Sequence, residues 1–182
     1  MTGLWVTLDG VLLVAGVAAW LSWTATRLDA LHHRVELARE SVRRRLLERS
    51  GWTLEMATSG LLDDAEALVL ADAAARARAE DRGFEAAESD LSQALRVVFD
   101  HAGEAARVRT TPVGTELVAA CQRVELARRF HNDAVGSARH VRSRWPVRFF
   151  RLAGSAGSLR TIDLDDAPPA GFTSAGASDH PA

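Results

Sequence analysis

The chain has no lysine and no tyrosine, a single cysteine, and only five prolines in 182 residues. One cysteine, Cys121, excludes an intramolecular disulfide and any zinc site built from several cysteines. Few prolines leave long stretches free to run as helix. Ala, Leu, Val, Arg and Glu dominate what remains, which is the profile of an all-α fold. All 22 basic residues are arginine, which reads as the coding bias of a GC-rich genome. The formal net charge of −2 offers no basic excess for nucleic acid, so none is expected as a partner. The chain also lacks H-E-x-x-H, P-loop and dinucleotide fingerprints, and the Glu-x-x-His pair of carboxylate bundles is not repeated on two helices.

One long apolar run is present, from Leu4 to Ala25. As a helix at 1.5 Å per residue it reaches about 33 Å, enough for a bilayer core of about 30 Å. Residues 4–26 therefore read as a transmembrane anchor, with Trp5, Trp20 and Trp23 suited to the interfaces. Asp9 lies near the N-terminal end, where its carboxylate can snorkel to headgroup water. A cleaved signal peptide needs a positive n-region, and Met1 to Leu4 has none. Arg27, Arg34, Arg39, Arg43, Arg44 and Arg45 all follow the run, and no arginine precedes it. The positive-inside rule then places the N-terminus outside and the rest in the cytoplasm, as a single-pass protein of the plasma membrane.

Behind the anchor, Leu28, Leu31, Val35, Ala38 and Val42 recur in steps of three and four, a coiled-coil-like heptad seam. The patterning predicts helices over about 27–58, 61–82, 84–105 and 112–145. Asp63 and Glu66 have capping-box spacing, with Leu62 as a staple. Gly83 suits a C-terminal cap, and Pro112 suits the first turn of the last helix. The expected inward face of the third helix is Phe84, Ala87, Leu91, Ala94, Leu95 and Val98. Short connections make consecutive helices antiparallel, giving a long up-down four-helix bundle over 27–151. Its outer helices are the longer pair, so Leu28–Val42 should face His131–Trp145 beyond the reach of the central hairpin. Residues 152–182, rich in Gly, Ser, Pro and Asp, read as a largely disordered acidic tail.

Two segments carry a family resemblance. Glu125-Leu126-Ala127-Arg128-Arg129-Phe130-His131-Asn132-Asp133-Ala134-Val135 resembles the signature helix of the LemA family of bacterial membrane-anchored proteins. Glu88-Ser89-Asp90-Leu91-Ser92-Gln93-Ala94-Leu95 is similar to that family's other helical segment. The order of elements also agrees, over roughly Leu4 to Trp145. The resemblance implies a helical single-pass protein with an extracellular N-terminus and no established activity. It implies structural roles for Glu88, Leu91, Ala94, Leu95, Glu125, Ala127, Arg128, Asn132, Ala134 and Val135. His131 stands where the family usually has tyrosine, and Ala138-Arg139 replaces a Tyr-Asn pair. With the long acidic tail, these departures indicate a divergent branch, and the all-arginine usage suits an actinobacterial one.

Glu125 with Arg129, and Arg128 with Asn132, sit one helical turn apart and read as surface pairs or a register-fixing network. His131 lies in an apolar seam and reads as a core histidine. A metal needs companions; His32 and His33 fall near the level of His140, and a three-histidine site between the helices is the minor alternative. Cys121 reads as a small apolar residue. The most distinctive cluster is Arg139, Arg142, Arg144, Trp145, Arg148, Phe149, Phe150 and Arg151. Basic residues interleaved with aromatics suit anionic lipid headgroups; their bland alternative is a solvated cover over the bundle end. Asp163, Asp165 and Asp166 follow with the Ile- and Leu-bearing segment Thr161 to Leu164, which either folds back onto those arginines, forms a short docked strand, or is a free acidic tail. The combined expectation is a non-enzymatic scaffold or adaptor with no cofactor and no metal. Its expected partners are membrane lipids and unidentified proteins, with homo-oligomerisation left open. The alternatives are a metal-dependent or hydrolytic enzyme within the bundle, and a regulatory subunit sensing membrane state.

Overall fold

The computed structural model describes residues 2–80, 83–100, 102–143 and 159–173, and these are all-helical, with no strand. The helices are α1 (Thr2–Thr58), α2 (Asp64–Ala79), α3 (Phe84–Phe99), α4 (Ala102–Arg109), α5 (Pro112–Ser143) and a short α6 (Ala170–Thr173). They form two compact units, Met1–Ala38 with Asn132–Thr161 and Arg39–His131 with Ile162–Ala182.

In the first unit, α1 carries the apolar run and is the one described helix long and apolar enough to cross a membrane. Almost none of that run is buried, and Leu12 and Leu13 are 64% and 71% exposed. A core helix of a soluble protein would hide such residues. Thr24 and Thr26 return their hydroxyls to carbonyls one turn back, on Trp20 and Ser22, so neither leaves an orphan donor. The Arg27 guanidinium lies 5.6 Å from the Trp23 ring centroid, a cation–π contact. Past this point Leu31 and Val35 pack with Ala134, Val135 and Ala138 of α5, beside Leu159. The small residues 134 and 138 permit that close approach. The side chains of Trp5, Asp9 and Leu28, and the whole of Trp145, lie outside the described residues.

The second unit follows from its capping signals. Ser59 returns both its amide and its hydroxyl to the Met56 carbonyl. Gly60, at φ 73°, takes the left-handed turn that ends α1. Asp63 caps α2 through a complete capping box. Its Oδ1 accepts the Glu66 amide at 2.8 Å, and Glu66 Oε2 accepts the Asp63 amide at 3.3 Å. Thr111 caps α5 by accepting the Gly114 amide, with Pro112 in the first turn.

The main core joins Met56 to Leu70, Ala73 and Ala74 of α2, and to Leu91, Leu95 and Phe99 of α3. Val108, Leu117 and Cys121 complete it from α4 and α5. Alongside it Val42 and Leu46 pack with Val124, and Glu48 bonds Arg123. Residue numbers rise along α1 as they fall along α5, so the two helices run antiparallel here.

Three expectations are corrected. Helix 61–82 is shorter, ending at Ala79, and Gly83 is not its cap but precedes α3, where its carbonyl accepts the Ala86 and Ala87 amides. The single helix over 84–105 is two, because α3 ends at Phe99 and α4 begins at Ala102. Packing explains the break. Gly171 sits against it so closely that a Cβ there would lie 2.4 Å from the Phe99 carbonyl and 2.3 Å from Ala105 Cβ. Asp100, in the break, accepts the Ala170 amide at 2.9 Å.

The third correction concerns the tail. Residues 159–173 are not disordered, and Ile162, Leu164 and Phe172 are core residues. Stretches 152–158 and 174–182 lie outside the described residues. The physical reason is complementarity: the apolar side chains meet apolar partners, and two of the carboxylates meet arginines.

Candidate functional site

The docked segment is built on a period of two. From Ile162 to Asp166 burial alternates, with Ile162, Leu164 and Asp166 buried and Asp163 exposed, the pattern of an extended chain laid on a surface. Ile162 and Leu164 enter the Val42–Leu46–Val124 cluster. Its backbone is satisfied by α3, whose Glu85 carboxylate accepts the Asp163 amide and whose Ser89 hydroxyl accepts the Asp165 amide. Arg96 of α3 grips both Asp165 oxygens and donates to the Ala167 carbonyl at 2.9 Å. Arg128 of α5 grips Asp166 in the same forked way, at 2.6 and 2.9 Å. Bidentate guanidinium–carboxylate pairs fix orientation as well as adding energy. The Arg96 hydrogen bond holds the Asp165 carboxyl below its ordinary range, and Asp165 and Asp166 raise the two guanidinium groups. Further on, Phe172 stacks on Phe99 with centroids 5.1 Å apart, and Arg109 donates to the Gly171 carbonyl.

Beneath this surface lies a buried ion pair. Arg49 of α1 is 1% exposed and Glu88 of α3 is 3% exposed. Arg49 NH2 donates to Glu88 Oε2 at 2.6 Å and to the Glu88 carbonyl at 3.0 Å, and its NH1 donates to Ser92 Oγ at 2.9 Å. Burial pushes the Glu88 carboxyl above its ordinary range, against the pull of Arg49. Burial also pushes the nearby Cys121 thiol up to about 11, again opposed by the Arg49 charge. The thiol is therefore protonated at neutral pH and is a poor nucleophile. This network fixes the register of α1 against α3. Nothing in it presents a reactive group to solvent.

Glu88 thus sits in a network, while Leu91 and Leu95 are core and Ala94 is half-buried. Glu125 pairs with Arg129 at 2.5 Å, as its spacing predicts. Arg128 reaches Asp166, a partner the i,i+4 reading does not supply. Ala127 packs beside the second cluster. Val135 is fully buried, with Ala134 and Asn132 half-buried. His131 is 1% exposed, in keeping with a core histidine.

Of the arginine–aromatic cluster, Arg139 donates from Nε and NH2 to the Leu159 carbonyl, and Arg142 is half-buried near the end of α5. Arg144, Trp145, Arg148, Phe149, Phe150 and Arg151 lie outside the described residues. His32 is half-buried, while His33 and His140 are exposed. Among the described residues no three His, Cys, Asp or Glu side chains converge as metal ligands would.

Sequence reasoning passed over Arg49, Ser92 and Arg96. A signal for the first was present. Continuing the seam from Val42 through Leu46 in steps of three and four arrives at Arg49, Thr53 and Met56. An arginine in a seam position demands a buried acid, and Glu88 is that acid. No protein-family profile, curated protein or solved structure matches the chain.

Proposed function

We propose that this chain is a single-pass, membrane-anchored helical adaptor without catalytic activity, with its bundle at the cytoplasmic face of a bacterial plasma membrane. It is a divergent relative of the LemA family. Its four arms are α1, α2, α3 with α4, and α5, arranged up and down. The observation that carries this reading is α1, which leaves an apolar run exposed and continues without a break into the packed helical seam. A helix of this kind costs free energy in water and is stabilised by lipid. The arginines that follow the run orient it.

Two further observations support the adaptor role. The docked segment makes the bundle a surface that holds an extended acidic–apolar peptide, which is what an adaptor must do for its partners. In the first unit α5 runs back along α1 toward the apolar run, which supports contact of its last arginines, Arg139 and Arg142, with anionic headgroups. The test is a topology assay on the full chain. A C-terminal green fluorescent protein fusion should fluoresce, an N-terminal tag should be labelled from outside intact cells, and only detergent should release the protein from membranes. Recovery in the soluble fraction, or the reverse orientation, overturns the reading. In nanodiscs, phosphatidylglycerol should protect 139–151 from hydrogen exchange, and replacing Arg144, Arg148 and Arg151 with Ala should abolish that protection.

A further inference from the structure

Residues 162–173 lie on the second unit as a bound peptide would. Side chains of the bundle hold their backbone. Glu85, Ser89 and Asp100 accept the amides of Asp163, Asp165 and Ala170, while Arg96 and Arg109 donate to the carbonyls of Ala167 and Gly171. A strand built into a sheet is paired through its backbone instead, and no strand is present among the described residues. Ile162 and Leu164 enter the Val42–Leu46–Val124 cluster, and Phe172 stacks on Phe99. In the pairs Arg96–Asp165 and Arg128–Asp166 the bundle supplies the guanidinium and the segment the carboxylate. Both pairs reach solvent, with each arginine side chain 24% exposed. Pro168 and Pro169 fix the spacer before Phe172, and Asp165 Oδ1 accepts the Ala167 amide at 3.2 Å, so the segment is stiffened for this geometry.

Arginines beside an apolar strip recognise acidic–apolar peptides through side-chain pockets and forked ion pairs, whether or not the peptide is covalently attached. We propose that this surface is a docking site for an extended segment of a partner protein, and that residues 162–173 are its intramolecular competitor. The partner segment carries the same chemistry. Two alternating apolar residues fill the Val42–Leu46–Val124 cluster, two consecutive carboxylates take Arg96 and Arg128, and an aromatic ring six residues past the second acid covers Phe99. This inference rests on the adaptor reading for the existence of a partner, and it gives that partner a sequence pattern. Tethering gives the chain's own segment an effective concentration on the order of millimolar. The site is therefore closed by default, and a partner opens it by outcompeting the tethered copy.

The test uses the full chain in phosphatidylcholine nanodiscs, with a fluorescent peptide of the sequence 161–173 as probe in anisotropy. The parent should bind it weakly, because the tethered copy competes. The variant Asp165→Asn/Asp166→Asn, whose own segment has lost both forked pairs, should bind the peptide at least about tenfold more tightly. A peptide of the same composition in scrambled order should bind that variant at least about tenfold more weakly than the true sequence. Circular dichroism checks the variant's helices. A second measurement needs no variant. In the parent, amides of 162–172 should exchange faster than those of α3, through an opening that leaves the bundle folded, and excess peptide should speed them further. Absence of saturation with the Asn variant, equal binding of the scrambled peptide, or segment exchange no faster than that of α3 overturns the proposal. Self-association of the parent that the free peptide dissolves assigns the site to the segment of a second copy, and overturns the partner reading. Each readout is independent of which way the anchor faces, so failure of this site and failure of the anchored reading are told apart.

Discussion

Replacing Glu88 with Ala should be one of the most damaging single changes in this protein. The substitution removes the carboxylate 2.6 Å from Arg49 and leaves the guanidinium with Ser92 Oγ and one helix carbonyl, at 1% exposure. Breaking a buried pair from one side costs about 3–5 kcal/mol, because the surviving charge is neither solvated nor matched. For a chain of this size that corresponds to a fall in Tm of about 6–20 °C. Glu88→Gln keeps an acceptor oxygen and should cost less. The paired replacement Arg49→Met/Glu88→Leu removes both charges at similar volume, and should recover most of the loss or exceed the parent. The assay is thermal and urea unfolding in one detergent, read by circular dichroism, of Glu88→Ala and Glu88→Gln and of a double-mutant cycle made of the parent, Arg49→Met, Glu88→Leu and the paired replacement. A Glu88→Ala cost under about 1 kcal/mol would refute the reasoning. So would a paired replacement no better than the single one.

Three further outcomes are expected. Asp165 titrates below its ordinary 3.8 when docked, so the folded form binds its proton less tightly than the free segment. Its contribution to docking is then complete above that value and lost as the pH falls through the lowered one; hydrogen exchange of 161–172 should rise in acid, and Asp165→Asn should flatten that dependence. Gly171→Ala should push the segment off Phe99 and Ala105 at a cost of about 1–3 kcal/mol, seen as faster proteolysis beyond Arg160, and unchanged proteolysis contradicts the close approach. Cys121, 2% exposed with its thiol pushed up to about 11, should stay unmodified by a disulfide reagent at pH 8 until the protein unfolds; modification within minutes would show that the core opens there.

The capping residues show how much of the fold is local. Asp63, Glu66, Gly60 and Pro112 act within a few residues of themselves, so their roles are readable from spacing alone. The seam residues Leu31, Val35 and Val42 are nearly as local, because a helix repeats its faces. The tail shows the opposite. Pro, Gly and Ser around Ile162-Asp163-Leu164-Asp165-Asp166 weigh toward disorder when averaged, yet five residues with the right alternation are enough once Arg96 and Arg128 are in place. The break at Phe99 is equally illegible, since it answers to Gly171, far along the chain.

Sequence alone determined that this protein is helical, where its first apolar run lies, and where most helices start. These depend on hydrogen bonds and periodicities that close within a turn or two. Only the tertiary structure decided which charges are matched: Arg49 with Glu88, Arg96 with Asp165, Arg128 with Asp166. Coulomb attraction and desolvation depend on distance and burial, and neither exists until remote segments are brought together.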